Sequence, residues 1–183
     1  MAGEVREQAL DPEREARRRA ALLQIRQYGD PALKLRANDV SEFDEELARL
    51  AERMRLLMHE ANGVGLAANQ IGILRRMAVI HSGGEDGEPV AVVNPRVLER
   101  SEETAVDDEG CLSLQGVLLP VERAVGVTLE AHDVRGERLV LALEGLAARV
   151  AQHELDHLDG VLILDRTTPE ARREALAVLR PRL

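Results

Sequence analysis

The chain has 183 residues, the size of one ordinary domain, with 45% hydrophobic and 31% charged residues, a globular balance that argues against a disordered or membrane-spanning chain. Its net charge is −9, and one Tyr, one Phe and no Trp make up the aromatics. General attraction to phosphate backbones and base-stacking platforms are therefore both missing, and direct nucleic-acid binding is not expected. The core must come from Leu, Val, Ile and Ala.

Residues 1–20 read as a polar, charged N-terminal extension, and residues 21–183 as a single domain. Arg14, Arg17, Arg18 and Arg19 interleave with Glu13 and Glu15, which suits a solvated tail or helical arm better than a phosphate-binding surface. Core sequence begins near Leu22, Leu23 and Ile25, followed by a loop at Tyr28-Gly29-Asp30-Pro31. From Asp44 to about Glu60, Leu47, Leu50, Ala51, Met54, Leu57 and Met58 fall at helical intervals, with Ser41 or Asp44 available as the N-cap.

After the glycine-rich segment 63–72 the period changes. Met77–Ile80 and Val90–Val93 read as strands around a turn at Gly83-Gly84 and Gly87, with weaker strands at Val97–Arg100 and Glu103–Val106. Val125–Ala131 and Leu139–Leu143 suggest a hairpin about Asp133–Gly136. A helix from about Leu146 to Leu158 ends with Gly160 at its C-cap, Leu146, Val150 and Leu158 anchoring it in the core. A last helix spans roughly Pro169–Leu179. Helix, strands, then helices predict an α+β fold.

The sharpest chemical signal is His153-Glu154-Leu155-Asp156-His157. At 3.6 residues per turn, the two histidines project within about 40° of each other and can grip one metal ion. Glu154 lies beside them, free to take a proton from water. Chance pairing on a solvated face is a poorer reading in a chain with only five histidines. A catalytic metal usually needs a third protein ligand. The position where a longer zinc-protease pattern would place a third His holds Ile163. Glu170 or Glu174 would give a thermolysin-like arrangement, and Cys111 is the remaining candidate. A single Cys is often a small buried hydrophobe, but Gly110 allows close approach and Glu109 is out of place in an apolar core. Cys111 as nucleophile beside a His is a competing catalytic reading. With one cysteine no internal disulfide can form, which suits a reducing, cytoplasmic setting. The stretch Gly63-Val64-Gly65-Leu66-Ala67-Ala68-Asn69-Gln70 lacks dinucleotide and P-loop spacing. Its small residues permit a tight turn, and Gln70 could polarise a carbonyl oxygen.

Taken together, GVGLAANQ (63–70), EGCLS (109–113) and QHELDH (152–157), in that order, resemble the three signature motifs of peptide deformylase. The resemblance runs from about Leu22 to Leu179. It implies an α+β fold in which a central HExxH helix packs against antiparallel sheets, with a helix in the N-terminal region and another at the C-terminus. It implies hydrolysis of the formyl group from the formyl-methionine of new bacterial polypeptides, releasing formate. Cys111, His153 and His157 would hold one divalent ion, natively Fe2+, with Zn2+, Ni2+ or Co2+ also able to serve. Glu154 would be general base and acid, and Gln70 with the Leu112 backbone N–H would stabilise the oxyanion. Val64, Gly65, Glu109, Gly110, Leu146 and Val150 would bind substrate. The partners implied are N-formyl-methionyl peptides of nascent chains and transient association with the ribosome, with no membrane partner. Departures from the family pattern include Gln115-Gly116 where Pro-Gly is common, Glu122 before Arg123, and no Arg near Leu118 to hold the peptide backbone. Two rival classes remain: an HExxH endopeptidase, and a metal-stabilised scaffold or ribosome-associated module.

Overall fold

The run Met77-Ala78-Val79-Ile80 is apolar at every position, so alternation cannot tell which side of a strand faces a core. Both sides do, in the computed structural model, which describes residues 11–83 and 88–179. In chain order the elements are α1 (Pro12–Leu22), α2 (Glu45–Glu60), β1 (Gly65–Ala67), β2 (Met77–His81), β3 (Pro89–Arg100), β4 (Thr104–Glu109), β5 (Leu119–Ala124), β6 (Gly126–His132), β7 (Arg138–Glu144), α3 (Gly145–Leu158) and α4 (Pro169–Leu179). An antiparallel five-stranded sheet has the order β1-β2-β3-β6-β7, and β4 and β5 form a separate antiparallel pair. Met77 and Val79 share a core layer with Leu47, Met54 and Met58 of α2. Ala78 and Ile80 share the opposite layer with Ala148, Ala151 and Leu155 of α3. The HExxH helix therefore lies against one face of the large sheet, and α2 against the other. A third cluster joins β5, through Leu119 and Val121, to Leu162–Leu164 and Ala175 of α4.

Local chemistry explains the element ends. Asp44 accepts a hydrogen bond from the Leu47 N–H at 2.9 Å and caps α2. α3 ends at Asp159, its C-cap, and Gly160 follows in the left-handed region at φ +73°. A Cβ on Gly160 would lie 2.5 Å from the Lys34 carbonyl oxygen, so the chain needs the glycine, but one residue beyond the cap and not at the cap as expected.

Several expectations are corrected. Val90–Val93 and Val97–Arg100 belong to one strand, β3. Asn94-Pro95 looks like a break in sequence, but Asn94 adopts φ +51° at a bulge, and its side chain bonds the backbone N–H and C=O of Val40. β1 and β5 were not expected. β1 is three residues long, and β5 turns a charged residue, Arg123, to its buried side with Leu119 and Val121. Of the two readings of the charged arm, a solvated tail or a helix, the structure has the helix from Pro12 to Leu22, capped by Asp11. This helix crosses the expected 20/21 boundary, with Ala21 buried against the α2 side of the core. Of the residues expected to begin the core, Ile25 is buried and Leu22 packs against the same cluster, but Leu23 is 83% exposed, and Ala21 is buried ahead of them. Leu146 is 67% exposed and does not anchor α3 in the core; Val150 and Leu158 do. The turn expected at Gly83-Gly84 and Gly87 falls largely on residues 84–87, outside the described residues.

Candidate metal centre and active site

Helical repeat alone sets His153 and His157 one turn apart on α3, and their Nε2 atoms lie 3.2 Å from each other. Cys111, just after β4, brings its Sγ to 3.2 Å from His157 Nε2. Each of the three offers one donor atom, and these atoms all lie within 4.8 Å of one another. Around a tetrahedral ion bound at about 2.0–2.3 Å, neighbouring N and S donors sit roughly 3.4 Å apart. The three residues thus fit a divalent metal ion in both geometry and donor chemistry. Glu170 and Glu174 are exposed on α4 and are not part of this cluster.

A charged network surrounds the donors. Glu109 is 5% exposed and sits 2.9 Å from His153 Nδ1, which leaves His153 Nε2 directed at the cluster. Arg123 grips both Glu109 oxygens, at 2.9 and 3.0 Å, and reaches Asp156 with its remaining nitrogen. Arg149 donates to Glu109 at 2.8 Å, to the carbonyls of Val121 and Ala105, and to Asp107. Arg166 closes the chain on Asp156. Burial alone would raise the Glu109 pKa, but the hydrogen bonds and charges of His153 and Arg123 hold it down at about 2. Burial likewise opposes the Arg123 charge, and Glu109 and Asp156 outweigh it to raise its pKa. His153 is raised by Cys111 and Glu109 against its burial, whereas burial and the His153 charge push His157 down. From the other side, the Asn69 amide donates to the His157 carbonyl, and Gln152 bonds the backbone N–H and C=O of Ala124 to tie α3 to β5.

Glu154 is buried, its Oε2 has no hydrogen-bond partner, and burial pushes its pKa up to about 7. It lies so close to β1 that a Cβ on Gly65 would stand 2.3 Å from Glu154 Oε1. Gln70 accepts from the Ala67 N–H at 2.9 Å and donates to Ser113 Oγ at 3.1 Å, with its Nε2 3.8 Å from Cys111 Sγ. The Leu112 N–H has no backbone or side-chain partner among the described residues. These groups open onto a cleft of about 460 Å³, whose walls include Val64, Gly65, Gln70, Glu109, Gly110, Cys111, Leu112, Leu146, Val150, His153 and Glu154. Glu109 touches that wall, yet its carboxylate is committed to Arg123, Arg149 and His153 rather than turned to the cleft. Sequence reasoning missed Arg149, Asp156, Arg166, Asn69 and Ser113. The available signal was an arginine at a core-facing position, Arg123 on β5, with a second, Arg149, four residues before His153 on α3.

Known proteins resemble this chain over most of its length. The model of the polypeptide deformylase family matches residues 22–173. Peptide deformylase from Thermotoga neapolitana is 48% identical over 151 residues, covering 82% of this chain and 90% of that protein. The crystal structure of the Thermotoga maritima peptide deformylase superposes with a TM-score of 0.75 at 49% identity, over 79% of this chain and 97% of that one. That of Legionella pneumophila gives 0.80 at 39% identity, over 85% and 91%. The fold, the converging donors and a family match over most of the length lead to one conclusion: this chain belongs to the polypeptide deformylase family.

Proposed function

We propose that Cys111, His153 and His157 hold one divalent metal ion and that Glu154 moves the proton in the family's reaction, hydrolysis of the N-formyl group from the formyl-methionine of newly made polypeptides with release of formate. The observation that carries this reading is the buried Glu154 carboxylate, whose Oε2 has no hydrogen-bond partner among the described residues, beside three converging metal donors. When bound, such an ion supplies Lewis acidity and makes water acidic enough to attack near neutral pH. Thiolate and imidazole donors suit several divalent ions; ferrous iron is the proposed native one, with zinc, nickel or cobalt able to substitute.

Glu154 accepts a proton from the attacking water and returns it to the departing amine nitrogen, which needs a carboxyl poised near the working pH. Negative charge develops on the formyl oxygen as the carbonyl carbon becomes tetrahedral. Gln70, fixed at its carbonyl end by Ala67, and the Leu112 N–H, unpaired among the described residues, are the donors that meet this charge. Glu109 is better assigned as a positioning residue for His153 than as a substrate contact. Val64, Gly65, Gly110, Leu146 and Val150 line the side that receives the peptide, and the apolar Leu146 and Val150 suit a methionine side chain. The exposure of Leu146 on the cleft wall supports this role. Formyl-methionine is made and used in translation, so the proposed setting is the cytoplasm, with transient association at the ribosome; among the described residues no helix is long and apolar enough to cross a membrane.

The test is formate release from a formyl-Met-Ala peptide by protein purified anaerobically and assayed for bound metal. Glu154→Gln is expected to keep the metal and lose about 10³-fold in kcat, the scale of a lost general base. Cleavage of internal amides without formate would establish the endopeptidase instead. Bound metal without formate release or amide cleavage by the unaltered protein would favour the scaffold reading, and unchanged formate release in Glu154→Gln would remove Glu154 from the proton transfer.

A further inference from the structure

All of helix α1 but its last residue, Leu22, lies ahead of the family match, which begins at residue 22, yet the helix contributes to the cleft wall. Arg18 and Leu22, one helical turn apart on the same face of α1, line the cavity that contains Cys111, His153 and Glu154. The helix is seated there by Ala21, fully buried, and by Leu22, which packs in the same apolar cluster as Leu112. On the same flank, Arg14 and Arg17 line a smaller cavity with His59, Glu60 and Asn62.

The charges on the cleft wall are unequally committed. Glu109 is taken up by Arg123, Arg149 and His153, and Arg149 by Glu109, Asp107 and two carbonyls. Arg18 is exposed and forms no hydrogen bond or ion pair with any described residue. Arg19, by contrast, pairs with Glu15 on the outer side of α1. The molecule as a whole carries a net charge of −9 and so gives an acidic peptide no general attraction. Among the described residues that line the cleft, Arg18 on α1 is a cation without a side-chain partner and Asp108 on β4 a carboxylate without one, so selection of an acidic side chain would come from the place of Arg18 and not from the overall charge of the cleft.

Resting on the deformylase reading above, we propose that Arg18 is a specificity-determining residue that selects formyl-methionyl peptides bearing a carboxylate side chain, Asp or Glu, in the two residues after methionine. The guanidinium would meet that carboxylate at the cleft rim. It does not touch the reacting atoms, so its effect belongs in KM and not in kcat. An ion pair in this exposed setting is weak and screened by salt, which sets the scale at about threefold to fivefold.

The test compares C-terminally amidated formyl-Met-Glu-Ala and formyl-Met-Ala-Glu with their Gln and Lys counterparts, amidation removing the terminal carboxylate. The quantity read is the ratio of kcat/KM for the Glu peptide to that for the Gln peptide, at low and high salt. In the unaltered enzyme this ratio should exceed one by about threefold to fivefold at low salt and approach one at high salt. Arg18→Ala should bring it to one through KM, Arg18→Glu should invert it in favour of the Lys peptide, and Arg19→Ala should leave it unchanged. A ratio of one in the unaltered enzyme, or one that Arg18→Ala does not alter, overturns the proposal. Equal loss on all peptides in Arg18→Ala would also overturn it, by showing a structural role for α1. Failure to release formate even from the Gln peptides would instead count against the deformylase reading.

Discussion

Val92, Val127 and Leu129 of the five-stranded sheet share one aliphatic layer with Ala148, Ala151 and Leu155 of α3, whereas β5 meets the same helix through Arg123, Asp156 and Gln152. The two contacts differ in what they can specify. Aliphatic packing is non-directional and tolerates small rotations of a helix against a sheet. A guanidinium held on both oxygens of one carboxylate and on a second carboxylate fixes angle as well as distance. The directional contact occurs where Cys111, just after β4, must meet two histidines on α3. In this protein, burial builds the layers and buried charge sets the geometry of the donors.

The largest expected effect tests that division directly. Arg123→Leu takes the shared cation from buried Glu109 and half-buried Asp156, leaving them Arg149 and Arg166, and should cost at most about 3–5 kcal/mol in denaturant-measured stability. Because Glu109 orients His153, metal affinity should also fall by about 10- to 100-fold, measurable by competition with a chelator. A stability loss with metal affinity intact would mean that the network holds β5 but does not aim the ligands. Leu129→Ala is the counterpart in the large sheet. Leu129 is fully buried, so truncation should cost about 2–5 kcal/mol. The folded fraction should bind metal as tightly as before. If Leu129→Ala weakened metal binding as much as Arg123→Leu, the contrast between the two sheets would be lost.

This contrast also explains what was legible in the sequence. Periodicity locates α2, Pro169 after Thr168 marks the start of α4, and the spacing of His153 and His157 places two donors on one face of α3, because helical geometry is local. The third donor is remote in sequence, and periodicity left Cys111 competing with Glu170 and Glu174; the motif resemblance favoured it. β5 escaped because strand reading expects apolar residues on the buried face, and there Arg123 follows Leu119 and Val121. The charge network was illegible for the same reason: Arg149 looks like a solvated helix residue until Ala105, Glu109 and Val121 are brought beside it. The exposure of Leu146 could not be read from helical spacing, which marks it as apolar without showing that its side faces a cleft.

β1 connects the large sheet to the site through backbone proximity, and Gly65→Ala isolates that link. The new methyl would lie 2.3 Å from Glu154 Oε1, so the carboxylate must move. Misplacing a reacting group in this way costs on the order of 10²-fold. The expected result is a kcat lower by about that factor, with metal content unchanged. An unaltered kcat would show that Glu154 can shift without consequence, and would weaken its assigned role.

The smallest effect separates buried charge from charge at the surface. Asp165, between α3 and α4, is paired with Lys34 and Arg172 and accepts from the Leu162 N–H, with its side chain 28% exposed. Burial raises its pKa, but the Lys34 and Leu162 hydrogen bonds and the charges of Lys34 and Arg172 outweigh this and hold it below the ordinary carboxylate value. A depressed folded-state pKa means that the folded protein binds the proton less readily than the unfolded chain. Asp165 therefore adds stability above about pH 4, the unfolded-state value, and that increment disappears as pH falls through the folded-state value. Asp165→Asn should cost no more than about 1 kcal/mol at pH 7, because partly exposed pairs are worth little. The difference between Asp165→Asn and the unaltered protein should shrink as the pH is lowered below about 4, with metal affinity constant at neutral pH. A penalty at neutral pH matching that of Arg123→Leu would show that ion pairs stabilise this fold equally wherever they occur, and that the network at β5 owes nothing to its burial.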